Sequence, residues 1–527
     1  MTQTSQSHCV ASLSELQSKG RLLIKHGDKQ VALFHGPKGV FACNNRCPHE
    51  GYPLSQGTLT EGCVLTCNWH NWKFDLESGE TMVGGDMLRR YPVTIDGDDV
   101  LLDFTDPPGA ERIAAALGEI RDAMDKDQYD RLARLVARVE QAGGDPLDAV
   151  REAVWHGFNR MEFGMTHAFA AAPDWLQLRE TRAGDDAERL VAAVEPVAHI
   201  GWDTMREPEY RFSDDVAAYD AVGLVAAIEA EDEAKAMALL RGGLADGLGY
   251  ADFEQALTRA ALAHYAAFGH ALIYVLKAGQ LIARLGEAVQ EPVLLALLRM
   301  LVFARREDLI PEFRHYGDAR LAWDDAGAKP VSHQDFIGKS VRQVLARTLE
   351  SSADPLALYD ALLGANCWNM LYFDLPQQDR IKGAVADNVN WLDFTHGLTF
   401  ANAVRVQCTK FPDLWPAGLL QMGCFVGRNA GFVDPDQDVG GWRVGDGTAF
   451  LAQQQRALFD HAQPEHIVSC HLVKVLTALA DELAVARPDA PWRSDALAAV
   501  NRFLHTPLKR KNAARTAWQA LDLVAAE

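Results

Sequence analysis

Two short motifs carry the most specific chemistry in the chain. Cys47-Pro48-His49 is a C-x-H pair, and after 17 intervening residues Cys67-Asn68-Trp69-His70 is a C-x-x-H pair. Each motif offers one thiolate and one imidazole. Two thiolates can hold one iron of a [2Fe–2S] cluster while two imidazoles hold the other. A structural zinc site uses the same four donors, but with C-x₂₋₄-C followed by H-x₃₋₅-H. The alternation of Cys and His here favours the iron–sulfur cluster, with Cys47, His49, Cys67 and His70 as its ligands. Such a cluster moves one electron at a time, so His49 and His70 need partly exposed edges.

A second set of residues suggests where those electrons go. The sequence holds 17 histidines. His156, His167, His264, His270, His396 and His471 fall in apolar segments with helical spacing. A lone histidine in such a segment is most often a satisfied core residue. Several on separate helices can converge, because metal sites in bundle cores draw ligands from facing helices. We expect His156, His270, His396 and His471 to ligate a non-haem iron, with Asp393 and Lys474 as catalytic helpers. Asp393 and His396 lie about 60° apart on a helix, and Lys474 follows His471 by three residues on the same face. Lys474 can supply a proton or pair with an acid. An internal echo links two of the histidines. Phe268-Gly-His270-Ala-Leu272 precedes Leu297-Leu-Arg-Met-Leu-Val-Phe303, and Phe394-Thr-His396-Gly-Leu398 precedes Leu419-Leu-Gln-Met-Gly-Cys-Phe425. Either the repetition is chance among Leu-rich helices, or it marks a duplicated helix pair with one histidine per copy. Residues 147–171 read as one helix. On it His156 and His167 would stand about 16 Å apart, too far to share a metal. His264 and His270, on one helix, would point about 120° apart.

These residues need two kinds of scaffold. Short alternating runs at 21–25, 30–34, 40–43, 63–67 and 100–104, separated by Gly-, Pro- and Asp-rich turns, predict a small antiparallel β domain. Asp106-Pro107-Pro108-Gly109 breaks the chain. Beyond it, apolar residues recur at three- and four-residue spacing and alanine is abundant, which predicts helices throughout. The expected organisation is multidomain α and β: residues 1–106 for the cluster domain, a linker at 107–109, and a large all-α domain at 110–527. The β-α alternation of a dinucleotide-binding domain is missing, as are G-x-G-x-x-G and P-loop patterns. The electrons must therefore come from an external ferredoxin reductase or ferredoxin.

Composition narrows the function further. The chain has 527 residues, 48% hydrophobic and 23% charged, with a formal net charge of −21. That is ordinary globular composition. The acidic balance argues against a nucleic-acid partner. The polar N-terminal segment MTQTSQSHCVASLSELQSKG lacks an apolar signal core, and no run of 18 apolar residues predicts a membrane helix. Nine cysteines without a signal segment suit a reducing compartment, so the expected location is cytoplasmic.

The segments Asn45–Leu54 and Cys67–Asp75 closely resemble the cluster loops of the Rieske family, over roughly residues 8–105. The cysteine that follows each ligand pair in respiratory members is missing, so the resemblance is to Rieske ferredoxins and the ferredoxin-like domain of Rieske oxygenases. The iron motif in the α+β catalytic domain of those oxygenases, D-x-x-H-x₄₋₅-H, begins at Asp393 and His396 but meets Ala401 and Asn402 where its second histidine belongs. The helical region instead resembles the questin-oxidase-like family in three pieces: His156–Glu162, Phe394–Arg405 and His466–Lys474. That resemblance implies an oxygenase acting with O₂ on a small apolar or aromatic substrate. The alternative is an electron-transfer protein, a Rieske ferredoxin joined to a helical docking domain. The sequence leaves the oligomeric state open.

Overall fold

In the computed structural model, which describes residues 7–527, the alternating N-terminal segments form three small antiparallel sheets. Residues 1–6, the start of the polar leader discussed above, lie outside the described residues. Strand Lys29–Gly36 is central to its sheet, between Arg21–His26 and Gly39–Asn44. Its side chains alternate between two cores, as the two-residue period of a strand requires. Ala32 and Phe34 join Leu54, Leu65 and Phe74 in one core, and Val31 and Leu33 join Leu16, Val100 and Leu102 in the other. The first core lies beneath the Cys47 and Cys67 loops, since both cysteines belong to it. A second sheet, Thr58–Leu59, Val64–Thr66, Lys73–Asp75 and Thr81–Val83, carries the Cys67 loop between its two middle strands.

Everything after Asp103 is helical, so the architecture is a small antiparallel β domain followed by a large all-α region. The chain divides into two units, residues 1–145 and 146–527. The division falls after helices α1 (Gly109–Asp125) and α2 (Tyr129–Gln141), not at the Pro107-Pro108 break. The reason is a buried charge. Asp86 is fully buried in the first unit, and its carboxylate accepts from Arg134 Nη2 at 2.7 Å, from Arg134 Nε at 3.0 Å and from Arg138. An ionised carboxylate out of water must be paired in this way. The α1–α2 hairpin is closed in turn by Arg131, which donates to Glu119 and Asp122.

Four helices of the second unit matter for function: α4 (His167–Thr181), α6 (His270–Leu285), α7 (Trp391–Lys410) and α8 (His466–Val485). Helix α3 (Leu147–Gly157) packs on α5 (Asp186–Thr204), and α5 packs on α4. The four pack as a closed ring, α4 on α6, α6 on α7, α7 on α8 and α8 on α4. Among the described residues no helix is long and apolar enough to cross a membrane.

Two predicted helices are interrupted. Residues 147–171 break after Gly157, and α4 starts afresh at His167. Gly164 in the break has φ 79° and lies so close to the backbone of Ala296 and Met300 that a Cβ would stand 2.4 Å from it. Residues 250–285 break before α6, where Ala267, Phe268 and Gly269 adopt φ of 51°, 47° and 77°. We expect Asp86→Ala to remove charged hydrogen bonds together worth about 2–3 kcal/mol. Hydrogen exchange should then accelerate across α1 and α2 while Lys29–Gly36 stays protected. Unchanged protection in α2 would contradict this anchoring role.

Candidate metal centres

In the first unit the two motifs form matching loops. Cys47 N–H donates to Tyr52 C=O and Gly51 N–H donates to Cys47 C=O, at 2.9 and 2.8 Å. Cys67 N–H donates to Trp72 C=O and Asn71 N–H to Cys67 C=O, at 2.8 and 3.0 Å. The residue four places after each cysteine has positive φ, 77° at Gly51 and 60° at Asn71. Glycine and asparagine are the residues that tolerate this conformation, which tightens each loop. Cys47 and Cys67 are buried, and burial raises the Cys47 thiol to about 11. A thiol so placed ionises by binding metal. His49 Nδ1 and His70 Nδ1 face each other at 3.1 Å with the rings nearly perpendicular. Their side chains remain 25% and 38% exposed, which leaves an edge of each ring open for electron exchange. Trp72 stacks on His49, and Trp69 stacks on His70. All described cysteines are free thiols, including buried Cys43 and Cys63.

The family description "Rieske [2Fe-2S] domain" matches residues 6–88. The ferredoxin subunit of biphenyl dioxygenase from Pseudomonas sp. strain KKS102 is 32% identical over 98 residues, which are 18% of this chain and 90% of that protein. The chain belongs to the Rieske family. The 4beta-methylsterol monooxygenase of Methylococcus capsulatus is 34% identical over 105 residues, 16% of this chain but only 28% of that enzyme. Among solved structures, the ferredoxin of carbazole 1,9a-dioxygenase from Nocardioides aromaticivorans IC177 is 24% identical and covers 19% of this chain and 98% of its own, with a TM-score of 0.18. The family match and the ferredoxin relative establish the Rieske domain and support its [2Fe–2S] cluster. They do not reach over the helical unit, whose site rests on its own geometry.

In that unit each helix of the ring contributes one histidine. His270 Nε2 lies 3.0 Å from His167 Nε2, and His471 Nε2 lies 3.3 Å from His396 Nε2. The His270 and His396 ring centroids are 4.4 Å apart, and those of His167 and His471 are 4.8 Å apart. One ring nitrogen each from His167, His396 and His471 falls within 4.8 Å of the others. Three of the outer nitrogens are committed. His270 Nδ1–H donates to Ala267 C=O at 2.5 Å, His471 Nδ1–H to Ile467 C=O at 2.7 Å, and His396 donates to Leu392 C=O. A neutral imidazole has a single N–H, so the inward Nε2 atoms of His270, His396 and His471 carry bare lone pairs, and those of His396 and His471 face each other. Burial, together with nearby Lys474, holds all four rings neutral, His270 down to about 4 and the others well below the ordinary histidine range. Facing lone pairs repel unless a cation sits among them. An outward N–H held by a carbonyl is the arrangement that orients a metal-ligating histidine. The donor set is all imidazole nitrogen, which suits iron, copper or zinc.

The structure thus brings together three of the four helical histidines expected from sequence, His270, His396 and His471. The fourth place goes to His167. His156 is buried near the C-terminal end of α3 and is not in the group. On one continuous helix over 147–171 His167 would stand apart from the site; the break after Gly157 lets it turn inward. Asn159 and Gly164 were the signals of the break. His264 turns away to Glu229 and Asp308. Asp393 is a capping residue: its carboxylate accepts from Asn390 N–H at 2.8 Å and completes a capping box at the start of α7. Lys474 is buried beside the four imidazoles, and burial lowers it to about 8.

The site is open on two sides. A cavity of about 520 Å³ reaches His167 and His270 between Met161, Phe163, Phe268 and Met300, with Arg160 and Arg305 in its walls. A smaller one of about 230 Å³ reaches all four histidines past Leu392, Phe425 and Asn429. Phe268 lines both, held in its strained conformation by a hydrogen bond from its N–H to the Glu307 carboxylate at 3.2 Å. A non-glycine residue in this region costs about 1–3 kcal/mol. Gly269 beside it has no room for a side chain, since a Cβ would lie 2.6 Å from Phe400.

Replacing Cys67 with Ala should abolish the Rieske EPR signal and visible absorption, and a normal signal in that variant would contradict the ligand assignment. The neutral histidines give a pH prediction. The unfolded chain protonates His270 near its ordinary value of about 6.5, whereas the folded chain resists until about 4. Stability therefore falls as pH drops through this window. Urea unfolding of metal-depleted protein at pH 7 and pH 5 should show a larger loss in the parent than in His270→Gln, and equal losses would contradict the neutral assignment.

Proposed function

We propose that the protein is a Rieske-dependent oxygenase, in which the [2Fe–2S] cluster supplies electrons to a non-haem iron held by His167, His270, His396 and His471. The observation that supports this most is the convergence of four imidazole Nε2 atoms at the inner end of a cavity large enough for a small organic molecule. Bound there, iron would take one electron at a time from the Rieske donor and activate O₂. The rest of the chemistry falls to the chain. The Ala267, Leu392 and Ile467 carbonyls orient the imidazoles. Met161, Phe163, Phe268 and Met300 give the larger cavity apolar walls suited to a small apolar or aromatic substrate, and Arg160 and Arg305 offer donors to an oxygen substituent. Lys474, shifted to about 8, holds a proton next to the four rings and can release it near neutral pH. Motifs in this unit that resemble the questin-oxidase-like family, His466–Lys474 and Phe394–Arg405, carry two of the ligands. The revised ligand set assigns His156 and the Asp393 carboxylate no part in the chemistry.

The alternative, a Rieske ferredoxin fused to a docking domain, draws support from the ferredoxin subunits among the relatives. Metal content separates the two. His396→Ala should lose iron beyond the cluster and lose substrate oxygenation, with the Rieske EPR signal intact. Unchanged iron and activity would refute the oxygenase reading. Electron supply gives a second check. The purified protein should not turn over with NADH alone and should do so when a ferredoxin reductase or a chemical reductant is added. Direct reduction of the cluster by NADH would contradict the need for a partner.

A further inference from the structure

A second polar cluster lies in the helical unit on another face of α8. Glu195 and His199 on α5 are buried, at 3% and 0% exposure, and His466 begins α8. A carboxylate oxygen of Glu195, a ring nitrogen of His199 and a ring nitrogen of His466 all lie within 4.8 Å of one another. His461 Nδ1 accepts from Gln463 N–H at 3.0 Å, so its Nε2–H donates to Glu195 Oε2 at 3.2 Å.

The surroundings of His199 are arranged as for a metal ligand. Its Nδ1 lies 3.2 Å from Cys470 Sγ, a contact in which Nδ1–H can donate to the sulfur. In that tautomer Nε2 carries a lone pair, 2.8 Å from Glu195 Oε2 and 3.0 Å from Ser469 Oγ. The nearby Ser469 hydroxyl donates to His466 C=O at 3.0 Å, so its proton is used elsewhere. Two donors bound to one tetrahedral ion at 2.0–2.1 Å stand about 3.3 Å apart. The Glu195 and His199 donors stand 2.8 Å apart, which needs slight relaxation to reach that separation. A plain ion pair between Glu195 and a protonated His199 accounts for two of these residues but not for His466. His466 Nδ1 is buried with no hydrogen-bond partner among the described residues. An orphaned buried nitrogen is costly, and such an atom in a native fold calls for a partner.

We propose that Glu195, His199 and His466 bind a zinc ion. Two imidazoles and one carboxylate are nitrogen and oxygen donors of the type zinc takes, with a fourth position left for water. Cys470 acts from behind as the residue that orients His199. A cavity of about 520 Å³ lined by His461, Glu465 and Val468 lies beside the cluster. The site is independent of the four-histidine centre, but the two share a helix. Cys470, which holds His199, is the sequence neighbour of His471. Zinc here would fix α5 against the first turn of α8 and so set the position of His471.

The test is a titration of the chelator-treated full chain, cluster intact, with Co²⁺ as a spectroscopic substitute and Zn²⁺ as competitor. The parent should show an intense tetrahedral Co²⁺ band in the visible that one equivalent of Zn²⁺ abolishes. Glu195→Gln and His466→Ala should each lose this band and one equivalent of bound metal, while His396→Ala retains both. The Rieske EPR signal should persist in all variants, which reports that they fold. Glu195→Gln and His466→Ala that bind as much metal as the parent would overturn the proposal. So would a parent chain that shows no tetrahedral band, a result that does not depend on any variant folding. Failure of the four-histidine reading would appear separately, as metal content unchanged in His396→Ala.

Discussion

Two neutral imidazoles cannot hold bare lone pairs against each other in a dry interior unless something positive lies between them. That constraint governs the helical unit. Four rings meet with Nε2 contacts of 3.0 and 3.3 Å, and the outer nitrogens of His270, His396 and His471 are already spent on the Ala267, Leu392 and Ile467 carbonyls. Protonating the rings would relieve the contact by hydrogen bonding, but burial and the Lys474 charge oppose it. A metal ion among the rings would satisfy these lone pairs. The ring of helices α4, α6, α7 and α8 is the packing solution that brings one imidazole from each to the same point.

The fold also accepts local cost to achieve this. Ala267 and Phe268 sit in left-handed backbone immediately before His270, and Gly269 completes the turn against Phe400. The turn lets α6 begin at the histidine, so that Ala267 C=O receives its Nδ1–H. Strain of this kind persists only where neighbours over-determine it, and here Glu307 and Phe400 do so. In the Rieske domain the corresponding device is cheaper. Gly51 and Asn71 take positive φ with little penalty, and the two loops repeat one hydrogen-bond pattern around the ligand pairs.

The cluster ligands were legible in the sequence because they are local. Cys47, His49, Cys67 and His70 are fixed by spacing within two short loops, and turn residues flank them. The β and α regions were legible for the same reason, through period and punctuation. The helical centre was legible only in part, because its ligands come from helices up to 304 residues apart, His167 to His471. The F-x-H-[AG]-L echo picked out His270 and His396, and both enter the site. His156 was preferred to His167 because helical periodicity ran smoothly through a stretch that a close approach at Gly164 interrupts. Asp393 looked catalytic by its proximity to His396, but its position three residues after Asn390 is also the third residue of a capping box, and the cap is what the structure uses.

The central claim is that electrons from the Rieske cluster have an iron acceptor at the four-histidine centre. Mössbauer spectroscopy of the full protein, grown on ⁵⁷Fe and reduced with one electron donor, tests it most directly. The account predicts, besides the two iron sites of the cluster, a third component with the parameters of high-spin ferrous iron bound by nitrogen, about a third of the total area. A spectrum in which the cluster accounts for all the iron, in protein that retains its Rieske signal, would contradict it.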